Sequence, residues 1–245
     1  MFRNIFQNMP PVVKNLLILN ALFFLAKIVF EAQGIDLGRM LGLYYPASEN
    51  FQPFQIATHF FMHADFMHIF FNMFALVVFG SHLERYWGAK RFLIYYFATA
   101  IGAAFLYTFV QGIEVYNFTG EFFPDVHINI LDEGPSGIRF VTSPDLPGYG
   151  EAGKIFLTEC VGASGAVYGL IIAFALLFPN TQFMLLFPPI PIKAKWLAVI
   201  LGAFALISAI QDNPNDSVAH FAHLGGMLFG FIIIKIWQRD KTKFY

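Results

Sequence analysis

Charged residues are scarce in this chain. Only 13% of its 245 residues are Asp, Glu, Lys or Arg, whereas about 25% is usual for a soluble domain. The hydrophobic fraction is 57%, and phenylalanine alone accounts for 32 residues. This composition excludes an ordinary water-soluble globule and predicts a protein that uses lipid as its solvent.

Cysteine and net basic charge are nearly absent as well. Cys160 is the only cysteine, which excludes an internal disulfide framework and a thiolate metal cluster. The formal net charge is −1, so global charge gives no indication of a nucleic-acid partner. No internal repeat is visible, and we expect a single membrane domain over residues 1–245 that needs no cofactor.

Long apolar segments recur along the chain. A membrane-spanning helix needs about 20 mostly apolar residues, and six segments meet or approach that length: 12–31, 64–83, 91–112, 157–178, 194–211 and 219–238. The pattern predicts an all-α polytopic membrane protein, a bundle of six transmembrane helices. The first segment could be mistaken for a signal peptide, but it contains Asn20 and Lys27 and ends without a small-x-small cleavage site. We expect it to be retained as the first span.

Two polar regions interrupt the apolar segments. Residues 32–62 and 113–156 are rich in Gly and Pro, and that density is typical of irregular loops. The second region is long for a structureless connection, so it is either functional or partly ordered. Within it, Gly137–Ser143 alternates enough to allow a short strand.

The basic residues are distributed unevenly. With the N-terminus in the cytoplasm, that side holds Arg3, Lys14, Arg85, Lys90, Arg91, Lys193, Lys195, Lys235, Arg239, Lys241 and Lys243. The outer side holds Arg39, Arg139 and Lys154, and Lys27 lies near the outer end of the first span. The positive-inside rule therefore places both termini in the cytoplasm. The lack of a presequence and the short tails favour a bacterial plasma membrane.

A serine lies where the second polar region turns into the fourth apolar segment, within Gly162-Ala163-Ser164-Gly165-Ala166-Val167-Tyr168-Gly169. A helix start offers free N–H groups that, with the helix dipole, favour a developing oxyanion, so Ser164 is a candidate nucleophile. Tyr168 follows four residues later and shares its face. The alternative is an ordinary packing face, because small residues such as Gly162 and Gly165 let membrane helices approach closely.

A histidine lies inside the last apolar segment. His223, Gly226 and Gly230 are spaced i, i+3 and i+7 and share one helical face. The glycines form a groove that admits a second helix, for which residues 162–169 are a suitable partner. His223 is therefore a candidate general base. Two alternatives stay open: His223 makes only an interhelical hydrogen bond, or the base is His220, which lacks the glycine spacing.

Further histidines and an asparagine surround the start of the second apolar segment. His68 and Asn72 are four residues apart, face one way, and carry side chains able to donate hydrogen bonds to an oxyanion. His59 and His63 have the same spacing, which is compatible with zinc. However, the glutamate of a His-Glu-x-x-His site is missing and no carboxylate or cysteine ligand stands out nearby, so we expect no metal.

These groups together compose one acyl-transfer site. No intramembrane aspartate is present to orient His223, so we predict a Ser–His dyad and not a triad. Packing against Tyr168 would then hold the imidazole.

The ordered set of motifs resembles the rhomboid family of intramembrane serine proteases. The likeness covers about residues 50–235 and rests on Gly162-Ala163-Ser164-Gly165 with Tyr168, on Ala222-His223 with Gly226 and Gly230, and on His68-Ile69-Phe70-Phe71-Asn72 with His59 and His63 upstream. Glu84 and Gly88 look like the family's Glu-x-x-x-Gly element, and Pro191-Ile192-Lys193-Ala194-Lys195-Trp196 resembles the loop before the fifth span of bacterial members.

The resemblance implies a role for each of these residues. Ser164 would be the nucleophile and His223 the base, with Tyr168 stacked on the imidazole. The oxyanion hole would be lined by His68, Asn72 and the Ser164 backbone N–H. The expected partners are the lipid bilayer and single-pass transmembrane proteins, which would enter near the fifth span and be cut near their outer ends. The connection at 211–218 could act as a lid over the serine.

Two features depart from the family pattern. Phe54-Gln55 stands where the family often has Trp-Arg, so the guanidinium that braces the first outer loop is missing, and the region 113–156 is longer than expected. Two other functions stay open: an inactive relative that binds membrane clients without cutting them, and a transporter or channel that uses the intramembrane His and Asn as a polar pathway.

Overall fold

A computed structural model describes residues 8–134, 137–184, 189–211 and 219–239. The helices are α1 (Pro11–Glu31), α2 (Leu37–Leu41), α3 (Gln55–Thr58), α4 (Phe66–Trp87), α5 (Ala89–Thr119), α6 (Tyr149–Leu157), α7 (Ser164–Leu177), α8 (Ala194–Gln211) and α9 (His220–Arg239). A 3₁₀ turn covers His59–Phe61, and α4 contains a π-helical segment at Leu76–Gly80. The predicted lid at 211–218 lies, apart from Gln211, outside the described residues.

Six of these helices correspond to the six predicted spans. α1, α4, α5, α8 and α9 are each long and apolar enough to cross a membrane, and α7 is a shorter apolar helix of 14 residues. The prediction of a helical polytopic membrane protein is confirmed. Most of α7 is buried, because it lies at the centre of the bundle and packs against α5, α8 and α9.

The start of the fourth span differs from the prediction. The apolar run begins at residue 157, but the helix begins at Ser164. The residues just before it pair with the first outer loop instead, since Leu43 and Cys160 exchange backbone hydrogen bonds of 2.9 and 2.8 Å and Gly162 N donates to the His59 carbonyl at 3.0 Å. At 1.5 Å per residue, α7 is only about 21 Å long, whereas the hydrocarbon core is about 30 Å thick. The fourth membrane helix is therefore shorter than the hydrocarbon core, and Ser164 is its first residue.

The second polar region is mostly regular structure. Regular structure covers more of 113–156 than its Gly and Pro density indicates, in agreement with the alternative that the region is partly ordered: α5 continues to Thr119 and is followed by an antiparallel hairpin and α6. The hairpin joins β1 (His127–Gly134) to β2 (Gly137–Ser143), so the short strand predicted at Gly137–Ser143 is present. Strands β3 (Gln182–Met184) and β4 (Pro191–Lys193) form a second small ribbon between α7 and α8.

Gln55 braces the first outer loop from within. Its side chain is 1% exposed, and its oxygen accepts a hydrogen bond of 3.0 Å from the Gln52 N–H. Its amide nitrogen donates to the carbonyls of Met40 and Asn50 at 3.3 and 3.0 Å. The Gln55 amide thus bonds to three backbone groups of the loop. It does so at the position where the rhomboid family often has an arginine.

Glu84 joins the inner end of α4 to the start of α1. Its side chain is 3% exposed, and its two oxygens accept hydrogen bonds of 2.9 and 2.8 Å from the backbone N–H groups of Val12 and Val13. Pro11 begins α1 and has no N–H, so Glu84 satisfies the next two donors of the first turn. The negative charge also suits the positive end of the helix dipole.

We predict that Glu84→Ala lowers the free energy of unfolding by about 2 kcal/mol, because two buried N–H groups lose their acceptors. Thermal unfolding of the purified protein in detergent measures the change. Glu151→Ala is the matched control, since Glu151 makes only an exposed ion pair with Lys154 and its removal should change stability by less than about 0.5 kcal/mol. Equal stabilities of the two variants would contradict the capping role.

Candidate active site

Glycines bring α7 and α9 into backbone contact. A Cβ added to Gly226 would lie 1.9 Å from the carbonyl oxygen of Gly165, and one added to Gly230 would lie 3.2 Å from the Cα of Gly169. A methyl group fits at neither position. The face of α9 that carries His223 is therefore packed directly on the first turns of α7.

This packing brings a hydroxyl to an imidazole. Ser164 is the first residue of α7, and its Oγ lies 2.9 Å from Nε2 of His223, in the first turn of α9. The ring of Tyr168 stacks on the His223 ring, with centroids 4.2 Å apart and planes inclined by 7°. In this geometry the hydroxyl can donate its proton to Nε2, while the tyrosine ring restricts the orientation of the imidazole.

His220 occupies a different environment. Its ring is buried, lies 6.0 Å from the His223 ring and packs edge-on against Phe204 at 6.1 Å. The imidazole within reach of Ser164 is that of His223. Of the two candidate bases left open by the sequence, the geometry favours His223.

His68 faces the same space as the serine. Its Nδ1 accepts the Ala64 backbone N–H at 3.3 Å, so the proton of the neutral ring lies on Nε2. A Cβ on Gly162 would lie 2.7 Å from that Nε2, and 3.7 Å from Ser164 Oγ. Gly162 also has φ +124°, a backbone conformation that residues with side chains rarely adopt. Its missing side chain leaves the gap between the His68 donor and the Ser164 hydroxyl open.

Asn72 is buried one turn beyond His68 on α4. Its amide nitrogen donates to the His68 carbonyl at 2.9 Å, so in this structure the side chain is engaged with its own helix. It thereby stabilises the turn of α4 that carries His68. Asn72 and His68 share a face, as their spacing predicts, but it is the His68 ring that borders the gap at Gly162.

The two upstream histidines are buried. His59 Nδ1 donates to the Gln55 carbonyl at 2.8 Å, and His63 is 1% exposed with its ring edge-on to His68 at 5.1 Å. Burial lowers the pKa of His59 to about 4 and that of His63 to about 3, so both rings are neutral at neutral pH. Within the described ranges, no three His, Cys, Asp or Glu side chains are grouped so that they could hold a metal ion.

Sequence reasoning missed two supports of the site. The pairing of Cys160 with Leu43 is long-range and has no local signature. Lys27 donates a hydrogen bond from its ammonium group to the carbonyl of Ala64, whose N–H contacts the His68 ring. The role of Lys27 could have been suspected from the sequence, because a charged residue inside an apolar segment usually has a specific partner.

Comparison with known proteins gives a consistent match. A family model described as Rhomboid domain matches residues 50–131 and 134–239. RHOMBOID-like protein 12, mitochondrial, of Arabidopsis thaliana is 29% identical over 88% of this chain and 55% of its own length. Rhomboid protein 1, mitochondrial, of Saccharomyces cerevisiae is 28% identical over 75% of this chain and 42% of its own length. Rhomboid protease AarA of Providencia stuartii is 25% identical over 70% of this chain and 51% of its own length. The chain thus spans about half the length of these relatives.

We predict that Gly226→Ala separates α7 from α9 and lowers the free energy of unfolding by about 3 kcal/mol, because the new methyl group would overlap the Gly165 carbonyl. It should also slow the labelling of Ser164 by a fluorophosphonate. Thermal unfolding and the labelling rate check both effects. Gly202→Ala is the control, since its methyl would meet only the flexible end of Met227, at 3.2 Å. Wild-type stability and labelling in Gly226→Ala would show that the helix contact is dispensable.

Proposed function

The chain belongs to the rhomboid family, and from that premise we propose that it is an intramembrane serine endopeptidase that cuts transmembrane helices through a Ser164–His223 dyad. The observation that carries the proposal is the distance of 2.9 Å between Ser164 Oγ and His223 Nε2. The stacked Tyr168 ring supports it. The proposed domain is one rhomboid unit over residues 1–245.

The proposed reaction passes through a covalent intermediate. Ser164 Oγ attacks the scissile carbonyl carbon while its proton moves to His223 Nε2, giving a tetrahedral oxyanion. The imidazolium then protonates the leaving amine, the C–N bond breaks, and an ester on Ser164 remains. Water attacks that ester and gives its proton to the same nitrogen, after which the serine is released and its hydroxyl is restored. Atoms and charges balance without a cofactor.

Two donors are positioned to stabilise the oxyanion. Ser164 begins α7, so its backbone N–H has no acceptor within the helix and the helix dipole favours negative charge beside it. The Nε2–H of His68 faces the gap left by Gly162, on the side of the serine. Asn72 enters the proposal through its hydrogen bond to the His68 carbonyl and as a third donor if its amide turns towards the oxyanion.

A dyad needs another means of orienting the base. In a triad, a carboxylate holds the imidazole in the productive tautomer and orientation. Here the Tyr168 ring lies parallel to the His223 ring at 4.2 Å, and the glycine contact fixes the helix that carries the histidine. Packing, and not a carboxylate, therefore orients the His223 imidazole in this proposal.

We propose that water and substrate reach the site by different routes. In the proposal, water reaches Ser164, which is only partly buried, from the outer side, where α7 begins. α8 buries little more than Ala194, Ala198 and Ala205. A fifth membrane helix with so few buried side chains suits lateral entry of a single-pass transmembrane substrate. We place the protein in a bacterial plasma membrane, with both termini in the cytoplasm.

We predict that Ser164→Ala abolishes cleavage of a transmembrane reporter and labelling by a fluorophosphonate while expression and thermal stability are retained. His223→Ala should be equally inactive, because no base is left within reach of the hydroxyl. His220→Ala is the control and should keep its activity. Full cleavage by Ser164→Ala would end the serine mechanism, and the opposite ranking of the two histidines would move the base to His220. A wild type that binds reporters but neither cleaves nor reacts would be an inactive relative.

We predict that His68→Ala lowers kcat by about 10²–10³-fold, because one oxyanion donor is lost. KM should change little, since the contact forms only in the transition state. Steady-state cleavage of a reporter in detergent measures both constants. His82→Ala is the matched control, as His82 bonds to the Val78 carbonyl of the same helix, about four turns away from His68. A loss confined to KM would indicate a role in substrate binding instead.

A further inference from the structure

Lys27 is a charged residue near the outer end of α1 that the proposed reaction does not use. A lysine at this depth usually extends its ammonium group to the membrane surface or finds a partner inside the protein. Here the ammonium donates a hydrogen bond to the carbonyl of Ala64, in the turn before α4. The first membrane helix therefore holds the segment that leads into the second.

That turn controls both the backbone and the ring of His68. The Asp65 carboxylate caps α4 by accepting the His68 N–H at 2.8 Å. The Ala64 N–H donates to Nδ1 of the His68 ring at 3.3 Å. Ala64 thus accepts from Lys27 through its carbonyl and donates to His68 through its N–H. Any displacement of Ala64 changes the contact that keeps the proton of the ring on Nε2.

We propose that Lys27 is a positioning residue for His68: its ammonium group holds Ala64 so that the His68 ring keeps its proton on Nε2, facing Gly162 and Ser164. The proposal rests on the proposed function, in which that Nε2–H stabilises the oxyanion. Lys27 hydrogen-bonds to Ala64, and the proposal does not require it to contact the substrate or Ser164.

Two further observations support a role in the site. Burial is the main cause of the low pKa of His63, and the charge of Lys27 contributes to it, so the field of the ammonium group reaches the histidines beside the site. The docking of α1 has other contacts as well. Phe23 of α1 stacks on Phe61 of the 3₁₀ turn at 5.3 Å, and Glu84 caps the opposite end of the helix. Lys27 is therefore one of several contacts that dock α1, and it is the one made to the residue that contacts the His68 ring.

Kinetics of the full chain in detergent give the first test. Lys27→Met keeps the length of the stem and removes the charge and the donor; we expect kcat to fall about tenfold with KM unchanged, a smaller loss than removal of the oxyanion donor itself. Lys27→Arg should restore most of the activity, because it also donates to a carbonyl. Lys14→Met is the matched control on the same helix and should behave as wild type. Wild-type kcat in Lys27→Met, or a change confined to KM, would overturn the proposal.

A double-mutant cycle separates positioning from a general structural effect. If Lys27 acts through His68, Lys27→Met has no further effect on kcat in a His68→Ala background. Independent, multiplying losses would mean that Lys27 supports the fold by another route, and the proposal would be rejected.

The tautomer of His68 can be read without catalysis. In protein labelled with ¹⁵N-histidine, with the His68 signals identified by their loss in His68→Gln, we expect a protonated Nε2 and an unprotonated Nδ1. Lys27→Met should give a mixture of tautomers, whereas Lys14→Met should not. An unchanged tautomer in Lys27→Met would reject the positioning role. If the wild type proves inactive, the proposed function fails while this measurement still decides whether Lys27 sets the tautomer.

Discussion

The backbone contact between Gly165 and Gly226 is the constraint on which the site depends. In lipid, apolar side chains gain little by leaving their solvent, so membrane helices associate through close packing and interhelical hydrogen bonds. The contact is continued by Gly230 beside Gly169, whose carbonyl accepts the buried Tyr95 hydroxyl of α5 at 2.7 Å. These contacts fix the separations of α5, α7 and α9. The separation of α7 from α9 sets the distance between the Ser164 hydroxyl and the His223 imidazole.

The outer wall of the site is built differently. The residues before Ser164 are not helical and bond to the first outer loop through Leu43 and the His59 carbonyl. Non-helical backbone at membrane depth is tolerated where protein or water satisfies its polar groups. The first outer loop supplies those partners, and Gln55 keeps the loop in shape from its interior. The loop thus contributes to the geometry of the nucleophile although it holds no reacting group.

Much of the helical scaffold could be predicted from apolar run length and glycine spacing, because both are local properties of the chain. α8 has the predicted bounds of 194–211, and Gly226 and Gly230 face α7. The start of α7 could not be predicted in this way. The apolar run predicts that residues 158–163 are part of the helix, but Gly162 at φ +124° and the bonds of Cys160 to Leu43 keep them out of it. β1 and α6 were likewise hidden in a region rich in Gly and Pro, because packing partners such as Tyr45 against Phe156 lie far apart in sequence.

The tie between Glu84 and α1 has a consequence for biosynthesis. The two leading amides of the first membrane helix find their acceptor in a residue about seventy positions later in the chain. During translation that helix enters the bilayer with its leading end unsatisfied, and it is completed only when the far end of the second helix has emerged. The start of α1 therefore reaches its native hydrogen bonding only when α1 and α4 pair as a helical hairpin, and not when α1 inserts alone.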